Sequence, residues 1–161
     1  MLLELKRDGR KKGRLIINKE PVAWQMGAHA SPVAYLESIR MLVFMAGPAT
    51  DVISINDVSA AFLQAQGFAA DDERYVSYTA YKGAVENILR LHGCLYGQKC
   101  ASKRWYCTLA SWLCDNGFNQ AKNEPCLFVN ADGVRVLLYV DDVIVRGSRV
   151  DSDKFHSALE S

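Results

Sequence analysis

Apolar residues recur along this chain with two periods, and the switches between them predict its elements. Leu3 and Leu5, a charge-rich turn over residues 8–13 and the apolar run 15–17 read as a basic hairpin across residues 6–19. Ser31 and Pro32 then place a side-chain cap before a proline at the first helical position. Leu36, Ile39, Leu42, Val43 and Ala46 keep three-and-four spacing until Gly47 and Pro48 stop that helix. Residues 52–56 alternate apolar and polar positions into Asp57, which predicts a short strand ending on an acid. Residues 59–66 read as a helix, and residues 74–78 and 86–91 as strands around a glycine-containing loop. The clearest helix covers residues 102–116, with Trp105, Leu109, Trp112 and Leu113 on one side and Gly117 as its left-handed cap. Two β-rich runs, 127–130 and 134–139, flank Asp132-Gly133 as a hairpin; 143–145 follows as a strand, and 151–161 opens an amphipathic helix. Strands and helices in this mixed order predict an α+β layer, an antiparallel sheet with helices packed on one face.

Composition narrows the class. The 161 residues are half hydrophobic and 23% charged, with only four prolines, which suits one packed domain or a piece of a larger one. The longest apolar runs, 41–47 and 134–140, fall far short of the roughly 20 residues that span a bilayer. Glu4, Lys6 and Arg7 interrupt the apolar start, so neither a secretory signal nor a membrane partner is expected, and an intracellular location is. Five cysteines without a C-x-x-C pair argue against a disulfide framework and a zinc knuckle. Cys100, Cys107 and Cys114 repeat every seven residues, and core filling on one helix face is favoured for them over redox chemistry.

The formal net charge of +1 conceals local windows. Residues 1–20 hold seven bases against three acids, residues 51–73 hold five acids and no base, and residues 99–104 hold three bases and no acid. An acidic centre between basic flanks suits a metal site serving a polyanion, and solvated charged faces produce such windows too.

The sharper signal is Asp141-Asp142 between apolar runs, because strands avoid aspartate and adjacent carboxylates repel. A hairpin tip exposed to water would accommodate them; so would a divalent cation, since Mg²⁺ takes one or two carboxylates with phosphates and waters. Asp57 ends an earlier strand, and a neighbouring position in the sheet would bring it to the same tip. Such a triad can hold two cations about 4 Å apart for in-line phosphoryl transfer.

Taken together and in order, Asp57-Val-Ser-Ala-Ala-Phe62-Leu63, Leu95-Tyr96-Gly97 through Trp105-Tyr106, Asn116-Gly117-Phe118 and Tyr139-Val140-Asp141-Asp142 with Gly147 resemble the reverse transcriptase of copia-type LTR retrotransposons. Lys12-Gly13-Arg14-Leu15-Ile16, Ser31-Pro32-Val33 and Ser38-Ile39-Arg40 resemble its upstream fingers segment, so the likeness covers nearly the whole chain. The resemblance implies a polymerase palm-like sheet over residues 51–161 and partial fingers over 1–50, with the chain ending before a thumb. It implies an RNA-directed DNA polymerase, a nucleotidyltransferase adding dNTPs to a primer 3′-hydroxyl on an RNA or DNA template. The chain would be one segment of a polyprotein with other retrotransposon domains, working in a cytoplasmic virus-like particle or in the nucleus.

By the same resemblance, Asp57 and Asp141 are the principal ligands of two Mg²⁺ ions, with Mn²⁺ as a substitute, and Asp142 is the third acid. Tyr139 and Val140 complete the tip motif. Phe62 matches the aromatic steric gate against a ribose 2′-hydroxyl, and Lys12 and Arg14 match basic positions that contact the triphosphate. Departures stand beside these matches: Cys100 replaces a glutamine expected near the nucleotide, Ser102 replaces a proline, and the usual proline-glycine stretch is absent between Ala65 and Tyr81. The rival expectation is a decayed or domesticated element that binds nucleic acid without catalysis. Trp105 and Trp112 are expected in the core.

Overall fold

The computed structural model describes residues 2–5, 9, 11–17, 20–21, 30–45, 51–79 and 84–159. Its residues gather into two units that interleave along the chain: unit 1 holds 1–30 and 62–105, unit 2 holds 31–61 and 106–161.

Unit 2 is built on a five-stranded antiparallel sheet in which β3 (Asp51–Asp57), β9 (Asp142–Ser148), β8 (Arg135–Tyr139), β7 (Leu127–Val129) and β6 (Asn119–Gln120) lie side by side in that order. The Asp132-Gly133 hairpin forms as expected. Gly133 takes φ +81, Gly133 N–H donates to Asn130 O at 3.2 Å, and the Asn130 side chain receives Val134 N–H at 2.9 Å. Helix α4 (Arg149–Leu159) begins on a reciprocal cap: Asp151 N–H donates to Ser148 Oγ at 3.2 Å, and Ser148 Oγ donates to the Asp151 carboxylate at 2.6 Å. It packs on the sheet face that carries Ser54, whose Oγ lies 2.9 Å from His156 Nε2 and 3.2 Å from Ser152 Oγ. Buried Phe155 meets the rings of Trp112 and Phe118 edge-on at 5.9 and 5.8 Å.

Helices on one face alone do not describe this unit. Val145 stands opposite Ser54, so its neighbour Arg146 points to the other face, and there Arg146 Nη1 donates to Leu42 O in helix α1 (Leu36–Phe44) at 2.6 Å. The same guanidinium pairs with Asp51 at 3.4 Å, both side chains being largely buried. Helix α1 is therefore anchored opposite α4 by a cation placed on its last-turn carbonyl.

The start of α1 also differs from the Ser31-Pro32 expectation. Tyr35 is extended (φ −65, ψ 143), and the Ser31 hydroxyl bonds to Pro32 O instead of a helical N–H. The cap arrives from elsewhere: the buried Glu124 carboxylate receives Tyr35 N–H at 3.0 Å and Ser38 Oγ–H at 2.6 Å through one oxygen, and Cys126 N–H at 3.1 Å through the other. A carboxylate at a helix N-terminus satisfies orphan donors and meets the positive end of the dipole. The expected stop at Gly47-Pro48 lies outside the described residues.

Unit 1 carries two separate hairpins, β1 (Leu2–Leu5) with β2 (Lys11–Arg14), and β4 (Arg74–Tyr78) with β5 (Asn87–Leu91). The second strand of the basic hairpin comes earlier than the 15–17 run predicts, because those residues are recruited elsewhere. Ile16 bridges Tyr96 in parallel and Ile17 N–H donates to Tyr96 O at 2.9 Å. Gly97 is required at that approach, since it takes φ +90 and an added Cβ would lie 2.5 Å from Ile17 O. The expected helix over 59–66 shrinks to α2 (Ala61–Gln64).

Helix α3 (Ala101–Asp115) begins in unit 1 and continues into unit 2. Its end matches the sequence reading: Gly117 is left-handed at φ +83, its N–H reaches Cys114 O at 3.1 Å, and Phe118 N–H reaches Leu113 O at 3.0 Å, the paired bonds of a Schellman motif. Trp105, Leu109 and Leu113 are buried at four-residue spacing, and Trp112 packs on Phe155 as expected of a core residue. The cysteine repeat is corrected here. Cys100 is buried, but Cys107 and Cys114 are exposed, because they fall off the Trp105–Leu109–Leu113 stripe.

Candidate active site

The antiparallel register carries Asp57 to the Asp141-Asp142 tip. From Asp51 opposite Ser148, β3 and β9 stay in step to their ends, where Asp57 stands directly opposite Asp142. Directly opposed residues share a face, with Cβ atoms typically about 4.5–5.5 Å apart, and two like charges so placed repel. Pairing continues past the strand end, where Val58 N–H donates to Asp141 O at 3.3 Å. The tip is thereby tied to the residue that follows Asp57.

The turn itself is strained. Tyr139 pairs with Asp142, leaving Val140 and Asp141 as a two-residue connection, and Val140 sits at φ +59. A β-branched residue is rarely left-handed, and such a residue costs on the order of 1–3 kcal/mol that the surrounding structure must offset. Two buried strands supply that offset: Val136, Leu137 and Leu138 on β8 and Val143, Ile144 and Val145 on β9 are all buried.

Three strands contribute to one row on the sheet face, Tyr139, Asp142 and Asp57. The next row inward is Leu137, Ile144 and Ile55, and the third is Arg135, Arg146 and Ile53. Beside the carboxylates Ile55 is 69% and Tyr139 41% exposed, whereas Leu137 and Ile144 are buried. An apolar and aromatic platform thus adjoins two opposed carboxylates at an open sheet end. The sequence reading passed over Ile53 and Ile55, although the alternation of residues 52–56 places both on the Asp57 face.

For a divalent cation, the opposed Asp57 and Asp142 with Asp141 in the turn supply hard oxygen donors, the chemistry that suits Mg²⁺ completed by phosphates and waters. Among the described residues no three Asp, Glu, His or Cys side chains are gathered tightly enough to hold a metal on their own. By the chemistry of its oxygen donors, the tip suits a cation that completes its coordination with phosphates and waters.

The remaining predicted residues belong to unit 1. Lys12 and Arg14 stand on β2 opposite Glu4 and Leu2, and their side chains lie outside the described set. Phe62 is half-buried, packs against Cys94, Cys100 and Ala101, and lies 5.4 Å from the Tyr96 ring. Cys100, at the position where the resemblance expects glutamine, is turned into that same cluster. The acidic window is largely neutralised by ion pairs: Asp51 with Arg146, Asp72 with Arg74 and Arg104, and Glu73 with Arg90. His156 serves the α4 contact with Ser54 and has no link to the tip.

Comparison with known proteins is consistent along almost the whole chain. Residues 4–159 match the family model described as reverse transcriptase (RNA-dependent DNA polymerase). The Gag-Pol polyproteins of transposons Ty1-DR4 and TyH3 of Saccharomyces cerevisiae are 28% identical over 153 residues, and that of Ty1-BL is 26% identical. Each alignment covers 92% of this chain, which spans only 8–9% of the length of these relatives. No solved structure matches the chain. Among the described residues no helix is long and apolar enough to cross a membrane.

Proposed function

Because the chain belongs to the reverse transcriptase (RNA-dependent DNA polymerase) family, of the copia type, we infer that its activity is template-directed extension of a primer 3′-hydroxyl by dNTPs on RNA or DNA. The observation that carries this reading is the row Tyr139, Asp142 and Asp57 on an open, partly apolar sheet face, with Asp141 in the strained turn beside it. In this reading residues 51–161 act mainly as the palm and residues 1–50 as part of the fingers.

Asp57, Asp141 and Asp142 would hold two Mg²⁺ ions, or Mn²⁺ in their place. When bound, the metal neutralises phosphate charge and favours the ionised primer hydroxyl, so that positioning and electrostatics supply most of the rate. The chain's own contribution is geometric. Register fixes Asp57 against Asp142, the turn holds Asp141 next to both, and Ile55 with Tyr139 offers an apolar bed for the sugar and base edge of the primer end. Phe62 as steric gate and Lys12 with Arg14 as triphosphate contacts enter from the family pattern alone. Other polyprotein domains and an intracellular particle or nucleus are the setting that this reading implies.

Primer extension on an RNA template with Mg²⁺ tests it. Asp57→Asn and Asp142→Asn are each expected to lower incorporation by about a thousandfold, the equivalent of about 4 kcal/mol of transition-state stabilisation. Incorporation unchanged in both variants would remove the aspartates from the mechanism. Template binding without incorporation by the parent chain would favour the domesticated, non-catalytic rival.

A further inference from the structure

Unit 1 brings two thiols into contact. Cys94 and Cys100 Sγ lie 3.9 Å apart, six positions separate them in the chain, and the residues are 1% and 6% exposed. The turn between them is held firmly: Gln98 N–H donates to Leu95 O at 3.3 Å, Leu95 N–H donates to Gln98 Oε1 at 2.8 Å, and Gly97 is seated against Ile17 O. Phe62 and Phe68 wall the pair. The two sulfurs already lie in contact inside a cluster closed by these rings.

The two sulfurs are not equivalent. Arg74 Nη1 donates to Cys100 Sγ at 3.6 Å, placing a cation on the sulfur that would carry negative charge during attack. Burial first, and then the neighbouring Cys100, push the Cys94 thiol up to about 12, so it stays protonated near neutral pH. Arg74 is itself held in place by Asp72, and both Arg74 and Arg104 lie over the Phe68 ring at 4.2 and 4.7 Å.

We propose that Cys94 and Cys100 are an oxidisable dithiol, a site of reversible intramolecular disulfide formation that takes hydrogen peroxide as oxidant. Cys100 sulfur attacks one peroxide oxygen; the S–O bond forms, the O–O bond breaks, and the departing hydroxide leaves as water with the thiol proton. Cys94 sulfur then attacks Cys100 sulfur; the S–S bond forms, the S–O bond breaks, and hydroxide again leaves as water with the Cys94 proton. Two thiols lose two electrons, one peroxide gains them, and two waters result. The bond ties the Leu95–Lys99 turn to the residue that precedes α3. This site stands independently of the polymerase reading.

The full chain carrying Cys107→Ser and Cys114→Ser, which removes the exposed thiols, is treated with hydrogen peroxide, alkylated under denaturing conditions, digested and mapped by mass spectrometry. The expected result is a Cys94–Cys100 cross-linked peptide, joint loss of the two free thiols and joint recovery with dithiothreitol. The unsubstituted chain should give the same peptide, which guards against a folding defect in the variant. Adding Cys100→Ser should leave Cys94 free to alkylate. Near-UV circular dichroism reports that each sample is folded. In folded protein, oxidation of Cys100 to the sulfinic acid with Cys94 still a free thiol would overturn the proposal, as would full survival of both thiols.

Discussion

Strand β8 of unit 2 buries three consecutive residues and β9 five, whereas β5 of unit 1 leaves Asn87, Ile88, Leu89 and Arg90 exposed and closes only on Leu91. The difference follows from what covers each sheet. Unit 2 has α4 on one face and α1 anchored to the other through Arg146, so its central strands read as continuous apolar runs. The β4–β5 hairpin is a two-stranded ribbon, a form that is marginal in water without support. Its neighbourhood is instead held by ions and stacking, with Asp72 between Arg74 and Arg104 and both guanidinium groups over Phe68. A strained turn bearing repelling carboxylates belongs on the deeply buried sheet, where neighbouring strands outweigh its cost.

Truncating one phenylalanine in each unit tests this contrast most severely. Phe128→Ala, at a position with no exposed surface, is expected to cost about 3–5 kcal/mol in chemical denaturation. Phe68→Ala, only partly buried beneath two arginines, should cost about 1–2 kcal/mol. Equal losses would erase the distinction between a packed sheet and a charge-held ribbon. Amide hydrogen exchange would assign each loss to its unit.

A smaller effect concerns the strain at the tip. Val140→Gly relieves the left-handed penalty of roughly 1–2 kcal/mol and gives back part of it as glycine entropy, for a net gain of about 0.5–1 kcal/mol. Primer extension should fall in the same variant, because a looser turn no longer fixes Asp141. A stability loss would mean that the buried strands do not store strain at this turn.

The smallest effect is the pH response of unit 1. Hydrogen bonding from Arg74 holds the Asp72 carboxyl below its ordinary value of 3.8, with Arg104 adding to the same direction. A depressed folded-state value means that the pair stabilises above the unfolded value and loses its contribution as pH falls through the folded one. Because Asp72 is partly solvated, screening keeps the effect small. The stability difference between Asp72→Asn and the parent should be present at about pH 7 and shrink steadily as pH falls below the ordinary value of 3.8. A difference that persists in acid would assign Asp72 a packing role instead.

Much of this architecture is legible from local patterns. The α3 span with its Gly117 cap, the Asp132-Gly133 hairpin, both strands of the β4–β5 ribbon and the Asp57 strand all announce themselves through signals that act within a few residues. Where reading failed, the deciding partner was distant in sequence. The α1 start moved because Glu124, 89 positions from Tyr35, supplies the cap that Ser31 does not. The second strand of the basic hairpin moved because Tyr96 engages Ile16 and Ile17. Cys107 and Cys114 share a heptad spacing with Cys100, but a helix alone does not say which of its faces meets a core.

Sequence by itself determined the family, the strand-end acids and the elements that carry them, since motif order and short-range periodicity are properties of neighbouring residues. Tertiary structure alone decided that Asp142 is the residue opposite Asp57, that Arg146 and Glu124 seat α1, and that Cys100 meets Cys94. Each of these depends on register or on a contact between segments far apart in the chain, and such pairings are fixed only when the whole sheet and its covering helices pack together.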